Sequence, residues 1–169
     1  MLQSRSEVSI RKARVGDAKL LADIFAASWR NAYQGIIPHL HLETMISQRA
    51  AGWWRRALRR SGGTFVLKVG DTIVGYCTCG LSRSKGEYQG EIYELYIDPD
   101  HQGLGYGEHL FEAARQYLDQ RQLRGLVIWA ILENDKACAF YWNRGGRPVA
   151  EAVDTIGGRE LEKVAFAWH

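Results

Sequence analysis

One glycine-rich stretch decides how this chain is organised. It runs from Asp98 to Gly107 and reads DPDHQGLGYG. An apolar, alternating segment ends before it at Ile97, and apolar residues at helical spacing follow it from Leu110 to Leu118. Because glycines allow tight turns and the free N–H groups of a helix N-terminus favour an anion, this order of strand, turn and helix predicts a phosphate site.

Two common nucleotide-binding motifs do not fit this turn. A Walker loop ends in Gly-Lys-Ser/Thr, whereas Glu108 follows Gly107 here. A dinucleotide fingerprint needs a further glycine at position 108 or 110, where Glu108 and Leu110 stand. The residues alone therefore leave two alternatives, a ligand-binding turn or a plain tight connection between a strand and a helix.

Length and composition exclude several classes of protein. The chain has 169 residues, of which 46% are hydrophobic and 24% charged, which suits one globular domain over residues 1–169. No apolar run approaches the roughly 18 residues of a spanning helix, and Met1 to Ile10 lacks the apolar part of a signal peptide. The net charge of +3 is small, so a solvated helix face explains the arginines between Arg55 and Arg60 better than a nucleic-acid site does. We expect neither a membrane nor a nucleic acid as a partner.

Three cysteines, an odd number, do not indicate a disulfide framework. Cys77 and Cys79 would share one face of a strand, and no second Cys/His cluster supplies the four ligands of a structural zinc site. We expect them to be small buried hydrophobes in a metal-free, cytoplasmic protein.

The periodicity of the apolar residues predicts an α/β fold. Helices are expected after Asp17, after Pro38, over 48–60, over 105–122 and after Asn134, and strands over 8–10, 64–69, 72–81, 87–97, 126–132, 149–156 and 160–168. This order implies a mixed, mostly antiparallel central sheet with helices on both faces, in which 87–132 forms a parallel crossover.

The motifs resemble those of the GNAT N-acetyltransferase superfamily. Gln102-Gly103-Leu104-Gly105-Tyr106-Gly107 is similar to its Gln/Arg-x-x-Gly-x-Gly/Ala signature. Asn134, Ala137, Phe140-Tyr141 and Gly145 match its Asn-x-x-Ala-x-x-Phe-Tyr-x-x-x-Gly stretch. Residues 29–38 resemble the first helical region of small bacterial-type members, so the likeness covers nearly the whole chain.

The resemblance implies the GNAT-like acyl-CoA N-acyltransferase fold and acetyl-CoA as the co-substrate. The acetyl group would pass directly to a primary amine of a small molecule or protein in a ternary complex. The cofactor-binding residues it implies are Gln102 and the turn Gly103, Leu104, Gly105, Tyr106, Gly107 and Glu108 for the pyrophosphate, and Leu95, Tyr96, Ile97, Asn134 and Tyr141 along the pantetheine arm. The strand ending near Ile97 would diverge from the strand over 127–132 and leave unpaired backbone groups for the cofactor. Asn134 would bond the pantetheine arm, although a helix N-cap explains it almost as well.

The resemblance also implies the catalytic groups. Tyr141 would protonate the thiolate leaving group, because a phenol with a pKa of about 10 keeps its proton at neutral pH. The general base is open between Glu91, Glu94 and a water molecule. By strand alternation the two glutamates would face opposite sides of the sheet, so only one could point at the acceptor. Some relatives place a glutamate at the position of Trp129, where this chain has none.

The acceptor side is the least defined part of the site. Trp29, Tyr33 and Tyr93 are the candidate substrate-binding residues, with His39 and His41 as further candidates. Gly146 replaces a large apolar residue of the family pattern and is expected to loosen the packing after its helix. The alternative function is a non-catalytic acetyl-CoA-binding module. The last hairpin offers an edge strand, which leaves a monomer or a homodimer open.

Overall fold

The computed structural model describes residues 7–60 and 62–169. The strands are β1 (Val8–Lys12), β2 (Thr64–Val69), β3 (Thr72–Leu81), β4 (Gly90–Ile97), β5 (Leu126–Ile131), β6 (Arg147–Ile156) and β7 (Arg159–Trp168). The helices are α1 (Ala18–Tyr33), α2 (His39–Gln48), α3 (Ala51–Arg60), α4 (Tyr106–Gln120) and α5 (Asp135–Asn143). Within the described residues no helix is both long and apolar enough to cross a bilayer.

The seven strands of the described residues belong to one sheet in the order β1-β2-β3-β4-β5-β7-β6. Every neighbouring pair is antiparallel except β4 and β5, which are parallel and are joined through α4. The expectation of a mixed, mostly antiparallel sheet with a parallel crossover is therefore confirmed. The one parallel pair lies at the centre, directly beside the glycine turn.

Each face of the sheet carries its own hydrophobic core. On one face Phe111 and Leu118 of α4 and Tyr141 of α5 pack with Cys77 and Ile128 of the sheet. On the other face α1, α2 and α3 cover β2, β3 and part of β4, and this core includes the buried residues Phe25, Trp54 and Tyr76. The prediction of helices on both faces is confirmed, as is the burial of Cys77 and Cys79.

Several predicted boundaries shift by a few residues. β4 begins at Gly90 rather than Glu87, because pairing with both Leu81 and Leu126 starts there. α4 ends at Gln120 rather than 122, since Gln122 has a φ of 58° that no helix accommodates. The helix expected over 48–60 starts at 51, and Arg49 instead ends α2.

The expectation that Gly146 loosens the packing after α5 is wrong. A Cβ atom at Gly146 would lie 2.5 Å from the Trp168 ring, so the indole already fills the space of a larger side chain. Trp168 also donates from Nε1 to the Arg144 carbonyl over 3.0 Å. Trp168 of β7 thus provides the large apolar side chain that is missing at Gly146.

Candidate active site

The two central strands separate immediately after they meet. β4 and β5 pair only at Gly90–Leu126 and Glu91–Val127, although both strands continue for several residues. A gap therefore opens between the C-terminal half of β4 and the C-terminal half of β5, as the resemblance implied. A sheet that separates in this way leaves backbone donors and acceptors without a strand partner.

The hydrogen-bond register determines which backbone groups of β4 face this gap. The Asp98 amide donates to the Val74 carbonyl over 2.8 Å. Along a strand, the backbone groups of successive residues point alternately to the two neighbouring strands. Tyr96 and Glu94 therefore also bond β3, whereas Leu95 and Ile97 direct their N–H and C=O groups toward β5. The expectation for Tyr96 is thus corrected, because its backbone is used by β3.

The glycine turn combines two different uses of glycine. Gly103 and Gly105 have φ values of 77° and 82°, and open space surrounds the position of a Cβ at either residue. Gly107 has an ordinary backbone, but a Cβ there would lie 3.2 Å from the Phe140 ring. The first two glycines allow the backbone to turn, and the third allows α4 to approach α5.

The turn presents free amide groups at its open side. Gly105 is the N-cap of α4, and in the described chain no carbonyl outside the helix accepts from the amides between Gly103 and Glu108. Together with the dipole of the 15-residue helix α4, these amides form a site suited to an anion. The side chain of Leu104 is exposed, that of Tyr106 is half-buried, and Glu108 forms an ion pair with Arg144 at the end of α5.

Two side chains fix the entrance of the turn. The Asp98 carboxylate accepts from the Asp100 amide over 3.3 Å, and the Gln102 amide nitrogen donates to the Ile97 carbonyl over 3.0 Å. Gln102 therefore occupies a carbonyl that was expected to bind the cofactor, which is a second correction. Leu95 N–H, Leu95 C=O and Ile97 N–H are the β4 backbone groups left facing the gap.

A β-bulge in β4 overturns the expectation that the two glutamates face opposite sides. Thr78 and Cys79 of β3 stand opposite Glu94 and Ile92, so Tyr93 is an extra residue in β4. Beyond the bulge Glu91 stands opposite Gly80, which lies two residues from Thr78. Directly opposite residues share a face, so Glu91 and Glu94 lie on the same face, the one covered by α1 and α3.

Burial separates the two glutamates where orientation does not. The Glu91 side chain is only 1% exposed. Its Oε2 accepts from Arg83 Nη2 at 2.7 Å and Nε at 3.2 Å, and its Oε1 accepts from the Arg83 backbone amide at 2.9 Å. Glu91 thus anchors the β3–β4 connection, and the structure removes it from the list of groups that can reach a bound acceptor.

Glu94 lies in the open half of β4 and is 15% exposed. Its two carboxylate oxygens each accept from Arg49 Nη2 over 3.0 Å, and Tyr76 donates to Oε1 over 3.2 Å. A carboxylate has about four lone-pair sites, so these three bonds leave one, on Oε2. Glu94 can therefore still accept a proton from an amine or a water molecule.

Tyr141 and Asn134 lie on the β5 side of the gap. The Asn134 side chain accepts from the Ala137 amide over 3.3 Å, which confirms it as the N-cap of α5. Tyr141 is 7% exposed, and its hydroxyl has no hydrogen-bond partner among the described residues. Burial raises the pKa of the Tyr141 phenol, and the neighbouring Tyr33 adds to that rise. The hydroxyl therefore keeps its proton at neutral pH and is free to donate it.

Tyr33, at the end of α1, lies near groups of both β4 and the α5 N-terminus. Burial raises the pKa of the Tyr33 phenol, hydrogen bonding with Asn134 and Tyr96 partly offsets this, and the nearby Glu94 carboxylate raises it again. The Tyr33 ring also lies 4.9 Å from that of Trp29. One tyrosine of α1 therefore lies close to groups of β4 and of the α5 N-terminus.

The remaining acceptor-side candidates do not join this group. The Tyr93 hydroxyl donates to the Leu81 carbonyl, and the guanidinium of Arg83 lies 4.6 Å from the centre of its ring. His39 is exposed, and His41 lies against the β6–β7 turn at Gly157. The structure brings Trp29 and Tyr33 together and corrects the expectation for Tyr93, which belongs to the bulge.

Sequence reasoning missed the arginines that hold the two glutamates. Arg49 lies 45 residues before Glu94, and nothing in its local sequence distinguishes it from the arginines of α3. Arg83 lies in a polar loop that predicted only a connection. The bulge that puts both glutamates on one face also has no sequence signature, since Tyr93 fits a regular strand.

The glycine turn, the separated strands and the capped helix with Tyr141 match one known family. The sequence profile of the Acetyltransferase (GNAT) family matches residues 21–145. The chain belongs to the GNAT acetyltransferase family. This GNAT protein is 29% identical over 164 residues to the uncharacterized N-acetyltransferase YuaI of Bacillus subtilis, across 95% of this chain and 92% of that one.

Solved structures confirm the GNAT fold. The PaiA N-acetyltransferase from Thermoplasma acidophilum, in complex with coenzyme A, has a TM-score of 0.75 at 18% identity, over 94% of this chain and 98% of that chain. YncA from Salmonella typhimurium, solved with its cofactor acetyl-CoA, has a TM-score of 0.69 at 18% identity, over 96% and 94% of the two chains. The family match and the curated relative confirm the prediction of an N-acetyltransferase at the level of the family.

Proposed function

We propose that this protein transfers the acetyl group of acetyl-CoA to a primary amine, with residues 1–169 acting as one domain. The observation that carries the proposal is the gap between β4 and β5. The glycine turn with its free amides follows β4 at one end of this gap, and Tyr141, from the helix that follows β5, packs in the same core as Cys77 and Ile128. The three cysteines are free thiols, in keeping with a cytoplasmic location.

The turn would bind the diphosphate of the coenzyme through main-chain amides. The free amides between Gly103 and Glu108 point at no other acceptor, and α4 adds the positive end of its dipole. From there the pantetheine arm would extend along β4 like an added strand, bonded to the N–H and C=O groups of Leu95. The thioester would then lie between β4 and Tyr141.

The chemical step needs a neutral amine, because an ammonium has no lone pair. A carboxylate, directly or through water, takes the proton from the ammonium, and the amine nitrogen then attacks the thioester carbon. A C–N bond forms, the C–S bond breaks, and the thiolate takes a proton from the Tyr141 hydroxyl. As the C–S bond breaks, the nitrogen loses its second proton to the solvent. The carboxylic acid releases its proton and the tyrosinate regains one, so the net products are the acetamide, coenzyme A and one proton.

We assign the role of base to Glu94 and not to Glu91. Glu94 is the more exposed of the two, retains a free lone-pair site, and stands on the half of β4 that does not pair with β5. Glu91 is closed off by Arg83, whose Nε and Nη2 both donate to Oε2 and whose backbone amide donates to Oε1. Both glutamates lie on the same face, so accessibility is the argument for Glu94.

The proposal is tested by release of free thiol from acetyl-CoA in the presence of a panel of amines. We expect acetyl-CoA binding by calorimetry and thiol release with at least one amine. Tyr141→Phe should slow the release by about 10²-fold or more, because the leaving thiolate loses its acid. Binding of acetyl-CoA without transfer to any amine would instead support the non-catalytic module, and no binding at all would contradict both functions.

A further inference from the structure

Arg49 is held in an unusual environment for a charged side chain. Its guanidinium carbon lies 3.7 Å from the ring centre of Trp53, 4.2 Å from that of Phe25 and 4.9 Å from that of Trp54. The side chain is only 20% exposed. Three aromatic rings from α1 and α3 thus form a box, which we call the aromatic box, around a single cation.

In the described chain, the side-chain hydrogen bonds of Arg49 all go to Glu94. Its Nη2 bonds both oxygens of Glu94 over 3.0 Å, while its Nε is buried without a partner in the described chain. A buried donor without a partner costs about 1–3 kcal/mol, and removing two charges from water costs more. A buried ion pair is weak evidence for stability, since well-packed apolar residues in both positions are often as stable.

We infer that Arg49 is a positioning residue for Glu94: the aromatic box fixes the guanidinium, which holds the carboxylate in place and leaves one lone-pair site of its Oε2 free. This inference rests on the proposed role of Glu94 as the base. Arg49 itself touches neither the acceptor nor the thioester. It acts only through the carboxylate, whose Oε1 Tyr76 fixes from β3.

The groups around Glu94 make Arg49 its main counter-charge. Several charged or titratable groups of the described residues lie near Glu94. They are Arg49 from the α2–α3 junction, Tyr33 from α1, Tyr76 from β3, Tyr96 from β4, and Arg83 with its partner Glu91. Arg83 is already bound to Glu91, so removal of Arg49 leaves Glu94 among three phenols and another carboxylate. Such surroundings favour the protonated acid over the carboxylate.

The first test compares Arg49→Met with Arg121→Met. Arg121 also lies over an aromatic ring, that of Tyr117 at 4.3 Å, but on α4's side of the sheet and away from the gap. We expect R49M to lower kcat by about 10²-fold and to move the acidic limb of the pH–rate profile to higher pH. Acetyl-CoA affinity should stay unchanged, and R121M should match the parent protein in every respect.

The second test asks whether Arg49 acts through Glu94. In the Glu94→Gln background R49M should cost nothing further, because the group through which Arg49 acts is gone. Methylguanidinium added to Arg49→Ala should restore part of the lost rate, while methylammonium should restore less. Should R49M not fold, Arg49→Lys carries the test, since it retains the charge but not the planar stacking and should fall between the parent and R49A.

The outcomes separate this inference from the proposed function. If E94Q impairs transfer but R49M does not, or if R49M costs the same with and without Glu94, the positioning role of Arg49 is wrong and the proposed base stands. If E94Q has no effect, the proposed base itself is wrong. A loss of rate in R49M with an unmoved pH profile and no rescue would mean a merely structural role, which also overturns the inference.

Discussion

The two halves of strand β4 differ in what surrounds them. In the first half, Gly90 and Glu91 pair with strands on both sides, and the Glu91 side chain is buried in an ion pair with Arg83. In the second half, Leu95 pairs with β3 alone and Glu94 stays accessible. The same strand thus provides stability at one end and, in our account, a binding and catalytic edge at the other. The difference arises because β5 leaves β4 after two residue pairs.

The largest expected effect separates the two glutamates. Glu94→Gln should lower kcat by about 10²- to 10⁴-fold, the usual contribution of a general base. Glu91→Gln should leave kcat nearly unchanged, when kcat is counted per folded molecule. Steady-state kinetics of both variants with the same amine measure this contrast. Equal losses in both variants, or a larger loss in E91Q, would contradict the division of β4 into two halves.

The closed half predicts a stability effect without a catalytic one. Arg83→Met leaves the Glu91 carboxylate buried with only a backbone donor, which should lower the free energy of unfolding by about 1–3 kcal/mol. Lys19→Met is the matched control, because it removes the cation of an exposed ion pair and should change stability by less than about 1 kcal/mol. Urea denaturation compares the two. An R83M protein with full stability but impaired transfer would reverse our assignment.

The open half ends at the glycine turn, where backbone conformation controls binding. Gly105→Ala places a side chain at a φ of 82°, which costs about 1–2 kcal/mol and should weaken coenzyme A binding about tenfold. Gly16→Ala is the control, since Gly16 has no positive φ and open space around it. Calorimetry with coenzyme A measures both affinities. Unchanged affinity in G105A would argue against the turn as the diphosphate site.

The buried phenols near the open half predict a smaller, pH-dependent effect. Burial raises the pKa of Tyr33, Tyr76, Tyr96 and Tyr141, so the folded state binds their protons more tightly than the unfolded state does. Their contribution to stability is therefore complete below the ordinary tyrosine pKa of about 10 and is lost as the pH rises above it. Urea denaturation on either side of this pH, followed with phenolate absorbance, measures the loss. Ionisation of all eight tyrosines in one step, before unfolding, would contradict it.

The sequence was sufficient for the elements and for the turn, because both depend on local patterns. Apolar periodicity predicts the strands and helices to within a few residues, and the glycines with the following helix predict an anion site from local residues alone. Asn134 was predicted as a cap from the same kind of local signal.

The arrangement around Glu94 could not be predicted in this way, because it depends on contacts between distant segments. The extra residue at Tyr93 reverses the expected orientation of Glu91 without any change in the residue pattern. Arg49 reaches Glu94 from 45 residues away, and Trp168 fills the space beside Gly146 from the other end of the chain. Gln102 takes the Ile97 carbonyl through a side-chain bond that no motif specifies.

Amide hydrogen exchange of the protein with and without coenzyme A tests the central claim most directly. If the cofactor extends along the open edge of β4, the Leu95 amide should become strongly protected on binding, together with amides between Gly103 and Glu108. The Tyr96 amide, already bonded to β3, should change little. Protection that leaves Leu95 unaffected, or that appears only outside the gap, would contradict the account.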